Sequence, residues 1–499
     1  MIDFDKFNTY KENNKLEVKK ATGGLPHSIW ETYSAFANTD GGLILLGVDE
    51  NPDKTLNIVG LLNPEKLIAD FWNIVNNSQK VSFNILFDRH VQIFEVENKR
   101  IIVIEVPRAD RTLKPIYLNE KPYNETYRRN GEGDYHCSKE MVQAMIRDNG
   151  NKTQDMLVLD KMSFDVFDYD SVHRYRNRMK ITRLGHVWEE LEDIEFLQKL
   201  GAVGISEDDK KYPTAAGLLM FGFEYEIVRE YPHYFLDYQE HFDASTRWTD
   251  RIISTSGEWS GNLYDFFYKT YNKLIQNPNI KIPFKIENGR DRIDDTPVHK
   301  TMREALANSL FNTDFYGTRG LVIRNNLNEI IFENPGGFRI SLDEALSGGV
   351  SEPRNSVIMK MFNLLDIGER AGSGIPNIYK TWKEQNFGVP LYSELFEPDR
   401  TILKLPIKKV AIKSSDKKVA IKSSDKSETT KSKNQKNAVL EFAKQHGIIK
   451  SVDLLDVLNV GEQRIRKLLL ELVIDGALIS LGNNRNRTYK LPEQLNDLQ

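Results

Sequence analysis

Apolar positions change their period several times along the chain, and each change marks an element. Helical spacing runs over Trp30–Asn38 and Ser138–Asp148, while the apolar run Gly42–Val48 and the run Lys99–Pro107 read as strands. They predict a small α/β unit closing near Asn149-Gly150-Asn151. Residues 155–290 mix helices with two strand-like runs, PTAAGLLMFG at 213–222 and YFLDYQ at 234–239. Residues 295–406 predict a helix over Val298–Asn312, a hairpin over Gly320–Phe332, a glycine-rich loop, a helix, a second glycine-rich loop, a helix and a strand. From Asn434, Ala438, Val439, Phe442 and Ala443 share one face of a helix that runs to Gln445 and ends at Gly447. Ser451 caps a second helix carrying Leu454, Leu455 and Leu458. A third helix, Glu462–Asp475, turns Ile465, Leu468, Leu469 and Leu472 inward, and a hairpin follows over Ala477–Leu481 and Arg485–Leu491. The fold class is α/β, in the wider sense α+β, and multidomain.

Composition narrows the chemistry. A length of 499 residues asks for about three domains. At 40% hydrophobic residues and a mean hydropathy of −0.50, the chain has ample material for a core without a metal or disulfide staple. Cys137 is the only cysteine, which excludes a disulfide framework, a cysteine zinc site and a CxxC redox pair, and suits a reducing cytoplasm. The first fifteen residues hold no apolar signal core, and no run approaches 18 apolar residues, so neither export nor membrane spanning is expected.

The net charge of −4 is the sum of two unlike parts. Lys408–Lys490 carries 14 Lys and 4 Arg against 9 Asp or Glu, a net of +9; with the last nine residues at −2, residues 1–407 carry −11. An acidic body with a basic tail is the asymmetry of an appended nucleic-acid-binding module. The tail opens on KKVAIKSSD at Lys408–Asp416, repeated unchanged at Lys417–Asp425, and continues as a Ser/Thr/Lys-rich stretch that reads as a flexible linker. Beyond it, three short helices and a basic hairpin resemble a winged helix-turn-helix. Arg464, Arg466 and Lys467 near the start of the third helix would face a DNA groove, and Arg485 and Arg487 near the hairpin tip would reach the backbone or minor groove. The alternative is a winged-helix protein-interaction module in which these cations are a solvated face.

On the Val298–Asn312 helix, Glu304 and Asn308 lie four apart on one face. A carboxylate and a carboxamide so placed can activate a water and ligate Mg²⁺. Asn334-Pro335-Gly336-Gly337 follows a strand, and Gly372-Ser373-Gly374 opens a helix, where successive backbone N–H groups suit phosphate. The runs from His299 to Phe338 and from Ser351 to Ile378 together resemble the divergent GHKL-type ATPase domain often labelled RecG-like C-terminal, an α/β sandwich of the Bergerat kind. The resemblance implies ATP with Mg²⁺, Glu304 as general base, Asn308 as magnesium ligand, and a tendency to homo-oligomerise. It does not imply a helicase: no P-loop is present. One position departs from the pattern, since Asn334 stands at or next to the aspartate that meets the adenine amino group. A carboxamide oxygen can still accept that bond. The alternative is a vestigial fold used as a scaffold.

Near the start, Glu12 and Glu17 are five apart before Lys19; the block Ser34-Ala35-Phe36-Ala37-Asn38-Thr39-Asp40-Gly41-Gly42 then leads into an apolar strand ending at Asp49-Glu50. With Arg128-Arg129 in a later strand–turn, this resembles the Schlafen AlbA_2 domain, a family associated with nucleic-acid binding, some members of which cleave tRNA. That resemblance places three carboxylates on Glu12, Glu17 and Glu50, or its neighbour Asp49, able to hold Mg²⁺ or Mn²⁺ for phosphodiester hydrolysis. Lys19, Arg128 and Arg129 would bind phosphate. The bland alternative makes Glu17 and Lys19 a structural ion pair.

The expected organisation is therefore an AlbA_2-like domain at 1–150, a connecting α/β region at 151–294 that is part of the ATPase module, a GHKL-like core at 295–407, a linker at 408–433 and a winged helix at 434–492. The expected function is that of a cytoplasmic, nucleotide-responsive regulator, with DNA as the partner of the tail. A Schlafen-type RNA or tRNA endonuclease, in phage defence, is the alternative, and a non-catalytic scaffold the third reading.

Overall fold

The computed structural model describes residues 12–243, 245–280, 286–287, 291–292, 296–368, 372–396, 399–408, 430–458, 465, 468–469, 472–473, 478–481 and 488–491. The chain divides into two compact units, Met1–Ile412 and Lys413–Gln499.

The first unit opens with a four-stranded sheet, in the order Leu16–Lys19, Gly42–Leu46, Lys99–Val106, Val91–Val96. The first pair is parallel and the others antiparallel. The Ile29–Asn38 helix is buried along nearly its whole length, which is why SAFAN reads as small and apolar rather than amphipathic. The polar residues of that block tie the domain together. Asn38 Nδ2 donates to Ile116 O (2.8 Å) and Tyr127 O (3.0 Å), and its Oδ1 accepts from Ile116 N (2.9 Å). Ser34 Oγ donates to Ile116 O at 2.7 Å, and Thr39 Oγ1 accepts from Arg129 N at 2.9 Å. Gly41 is left-handed (φ 71°), and a Cβ there would lie 2.7 Å from Val106 O. The block is thus a backbone-satisfying hinge between helix and sheet.

A second core runs continuously from Leu159 to Ile407. It is built on a six-stranded sheet in the order Asp250–Ile253, Leu236–His241, Leu321–Asn326, Glu329–Pro335, Asp399–Pro406, Leu391–Phe396. Only the Leu236–His241/Leu321–Asn326 pair is parallel. Two of the six strands come from residues 151–294, so that region shares sheet and core with residues 295–407. The strand expected at PTAAGLLMFG is corrected: Ala215–Phe221 is a helix, every residue of it buried. Thr214 caps it, its hydroxyl accepting from Gly217 N at 3.1 Å. An apolar run of that length fits either element by pattern, and burial on all sides decided for the helix.

The second unit has its own small core, including Val439, Ala443, Ile449, Leu454, Ile465, Leu469, Leu472 and Tyr489. The Thr430–His446 helix starts four residues before the expected Asn434. Ile448–Ile449, Thr488–Lys490 and Ile479–Leu481 form a three-stranded antiparallel sheet in that order. The tandem repeat, Arg464, Arg466, Lys467, Arg485 and Arg487 lie outside the described residues. Among the described residues, no helix is long and apolar enough to cross a membrane.

Candidate functional site

The Pro297–Phe311 helix begins at a Thr296–His299 capping box with proline in its first turn, which fixes its start and hence the phase of its faces. That phase points Asn308 into a cavity of about 130 Å³. Asn334, Gly337, Gly372 and Gly374 line the same cavity. Residues more than 60 positions apart in sequence therefore meet there.

The glycines are required by close approach. A Cβ on Gly374 would lie 2.5 Å from Glu304 Oε1 and 3.0 Å from Asn308 Nδ2. Glu304 thus packs one helical turn behind Asn308, against the start of the Gly374–Glu384 helix. Ser373 caps that helix without a capping hydrogen bond from its own side chain, and the first-turn backbone N–H groups of a helix are the groups that suit an anion. Gly372 is left-handed (φ 66°), and a Cβ there would lie 2.5 Å from Val350 O. Gly336 is also left-handed (φ 90°) and packs against the Arg354 guanidinium. A carboxylate, a carboxamide and a helix N-terminus are groups of the kind that hold a phosphate with its magnesium ion.

Sequence reasoning missed part of this wall. Asn334 is buried and stands opposite Thr401 in the sheet. Thr401 Oγ1 donates to Gly336 O at 2.8 Å, holding the glycine turn open beside the cavity it lines. Tyr392, Asn312, Arg339 and Glu352 also line it. Burial pushes the Tyr392 hydroxyl well above its ordinary range, helped by the Tyr379 and Glu304 charges. None of these positions carries a local motif. Register across three strands brings Thr401 and Tyr392 in, and a one-dimensional pattern does not encode register.

In the N-terminal domain the carboxylates have other partners. Glu17 is buried, with Lys19 Nζ at 2.6 Å from Oε1 and Arg129 Nη2 at 2.8 Å from Oε2. Arg129 has 1% of its side chain exposed and also grips Asp134 at 2.9 Å, Asn13 O at 3.1 Å and Leu16 O at 3.4 Å. Its donors face inward, which corrects the expectation that it reaches a phosphate. Arg128 is buried as well. Glu12 accepts from Val18 N at 3.0 Å. Burial, then the Glu17 and Glu50 charges, raise its carboxyl above the ordinary range, against the pull of the Val18 bond. Glu50 pairs with Lys54 at 3.0 Å while its Oε1 is buried without a hydrogen bond; Asp49 pairs with Lys20 at 3.0 Å. Among the described residues, no group of three or more His, Cys, Asp or Glu is arranged to hold a metal ion.

The fold and the cavity define a class: an α/β domain with the SAFANTDGG hinge, joined to a sheet domain that carries a glycine-walled cavity. Comparison with known families gives each part its description. Residues 12–138 match the model "Schlafen, AlbA_2", and residues 323–399 match "Putative ATP-dependent DNA helicase recG C-terminal". The chain therefore carries a Schlafen AlbA_2 domain and a RecG-like C-terminal domain. Between them, residues 143–237 match DUF8451, a domain of unknown function. No curated protein matches the chain. Among the solved structures similar to the chain are these two. One is the DIP2311 protein from Corynebacterium diphtheriae, at 14% identity over 96% of this chain and 95% of that one, with a TM-score of 0.38. The other is the N-terminal domain of a RecG-related protein from Nitrosomonas europaea, at 30% identity over 27% of this chain and 90% of that one, with a TM-score of 0.21.

Proposed function

We propose that the chain is a nucleotide-responsive, nucleic-acid-binding protein of transcription-regulator type. The observation that carries this reading is the meeting of Asn308, Asn334, Gly337, Gly372 and Gly374 in one cavity, with Glu304 against Gly374. The two domain types support a nucleic-acid-related role. In this reading the cavity takes ATP with Mg²⁺. Asn308 holds the magnesium ion, Asn334 meets the base beside Gly336 and Gly337, and the Gly372-Ser373-Gly374 helix start takes phosphate. The bound nucleotide would supply the phosphoanhydride, and Glu304 would serve as the general base that takes a proton from a water.

The winged-helix reading of residues 434–492 rests on the three-stranded sheet, the helical core packed with it and the +9 tail. Arg464, Arg466, Lys467, Arg485 and Arg487 then carry phosphate and groove contacts to DNA. The assembly is a cytoplasmic homo-oligomer.

Titration calorimetry of the full chain with Mg·ATP tests the cavity. Wild type should bind, and Asn308→Ala should weaken binding at least about tenfold, with a smaller loss when magnesium is left out. Equal affinity in the variant would refute the placement. Deleting residues 434–499 should remove DNA retention together with its steep salt dependence. Unchanged retention would move DNA binding elsewhere on the chain.

The endonuclease reading has one observation in its favour. Glu12 feels the charges of both Glu17 and Glu50, so the three carboxylates are near neighbours.

A further inference from the structure

The wall of the candidate nucleotide cavity is held from the AlbA_2 domain. Gly337, Phe338 and Arg339 line that cavity and also a second one at the seam between the two domains, into which Arg108, Arg111, Lys114 and Asp148 project from the N-terminal side. The three wall residues are bonded on both sides. Arg108 Nη2 donates to Phe338 O at 2.5 Å, while Phe338 N donates to Glu394 Oε1 at 2.5 Å. Arg108 Nη1 lies 3.4 Å from Glu394 and 3.0 Å from Asp40, so one guanidinium orders the peptide and the carboxylate that receives it. Arg354 Nη2 donates to Gly337 O at 2.9 Å, and its other arm grips the Asp148 carboxylate. Arg339 Nη2 donates to Asp148 O at 3.1 Å and Nη1 to Pro353 O at 2.8 Å. Arg111 Nε pairs with Glu352, another cavity residue, at 2.9 Å.

The arginines of these contacts and the Asp148 and Glu394 carboxylates are largely shielded from water, whereas the Asp40 and Glu352 carboxylates are open to it. Arg108, Arg111, Arg339 and Arg354 have between 6% and 17% of their side chains exposed, and Asp148 and Glu394 have 19% and 13%. Buried, oriented charge pairs resist displacement by solvent, and releasing one partner leaves the other uncompensated. The wall therefore cannot shift without moving the seam.

We propose that Arg108 and Arg111 are positioning residues for the nucleotide cavity, and that occupancy of the cavity and the seating of the AlbA_2 domain are coupled through Gly337-Phe338-Arg339. The inference deepens the nucleotide reading and rests on it for its ligand, but the mechanical link is measurable alone. Coupling of this kind is reciprocal: a ligand that orders the wall also orders the Arg108-bearing segment.

Hydrogen exchange on the full chain tests it, comparing wild type with the Arg108→Gln/Arg111→Gln variant, with and without Mg·ATP. Without nucleotide, amides of residues 336–341 and 348–353 should exchange about tenfold faster in the variant, while the Leu263–Leu274 helix keeps its rate. Mg·ATP should protect residues 107–114 in wild type only, and its affinity should fall about tenfold in the variant. Arg174→Gln, which removes a pair with Asp265 away from the seam, should change neither readout. Unchanged wall exchange, or an equal rise throughout residues 12–407, would overturn the positioning role. If wild type binds no Mg·ATP, the nucleotide reading falls and the wall-exchange comparison still decides the link.

Discussion

Replacing Arg129 by methionine should destabilise the AlbA_2 domain by about 3–5 kcal/mol, the usual cost of removing one partner from a buried ion pair. The guanidinium lies between Glu17 and Asp134, closes two backbone carbonyls, and stacks 5.1 Å from the centre of the Phe36 ring. Methionine fills comparable volume, so the loss isolates charge and hydrogen bonding from packing. Lys19 and Thr32 keep one contact each to Glu17 and Asp134, which places the expected value nearer the lower end. Arg129→Lys should recover only part of it, because a single ammonium cannot reach both carboxylates. Urea unfolding followed by the fluorescence of Trp30 and Trp72 measures the change; a loss below about 1 kcal/mol, the scale of a surface pair, would refute this account. The same geometry chooses the variant for the nuclease question. Glu17→Ala strips the partner of Arg129 and confounds folding with chemistry. Glu12→Gln keeps the acceptor for Val18 N and is the clean test: tRNA left intact by wild-type protein with Mn²⁺ would end the endonuclease reading.

The second large effect is expected at Gly217. Alanine is favoured over glycine inside a helix by about 1 kcal/mol, so propensity alone predicts that Gly217→Ala stabilises Ala215–Phe221. Tertiary packing predicts the opposite. A Cβ there would lie 2.2 Å from Ala202 O and 2.8–2.9 Å from the neighbouring Ala202 carbon atoms, all backbone. Backbone cannot rotate away as a side chain can. Ala202 is itself fixed: Thr214 N donates to its carbonyl at 2.9 Å, and its own N–H donates to Leu197 O at 2.8 Å. Overpacking of this severity should outweigh the propensity gain, for a net loss of about 2–3 kcal/mol. Chemical denaturation of the sheet domain measures it, and a stabilised variant would show that this helix can move off the turn beneath it.

The two sites differ in how far a linear reading reaches. Glu304 and Asn308 were legible because helical period alone places residues four apart on one face. Gly372 and Gly374 were legible as glycines at a helix start. Thr401 and Tyr392 were not, since only strand register sets Thr401 opposite Asn334 and Tyr392 opposite Leu403, all four lining the cavity. In the N-terminal domain the same kind of inference went astray at Arg129. Adjacent arginines on a strand–turn look like phosphate ligands until the Leu16–Lys19 strand takes up the Arg129 guanidinium through Leu16 O and Glu17. The helix at Ala215–Phe221 shows the limit for secondary structure, because an apolar run carries no period once every face is buried.

By itself, then, the sequence determined the α/β character, the split between an acidic body and a basic tail, the two domain types and the helix face that bears Glu304 and Asn308. Each is a local or additive property: composition, period, or a motif read within one element. The tertiary structure alone decided that Leu236–His241 and Asp250–Ile253 are the strands by which residues 151–294 join the cavity sheet, that Arg129 is a buried tie, and that Arg108 of one domain grips Phe338 of the other. Those depend on which distant segments become neighbours, and side-chain chemistry cannot fix a partner until packing has brought it within bonding distance.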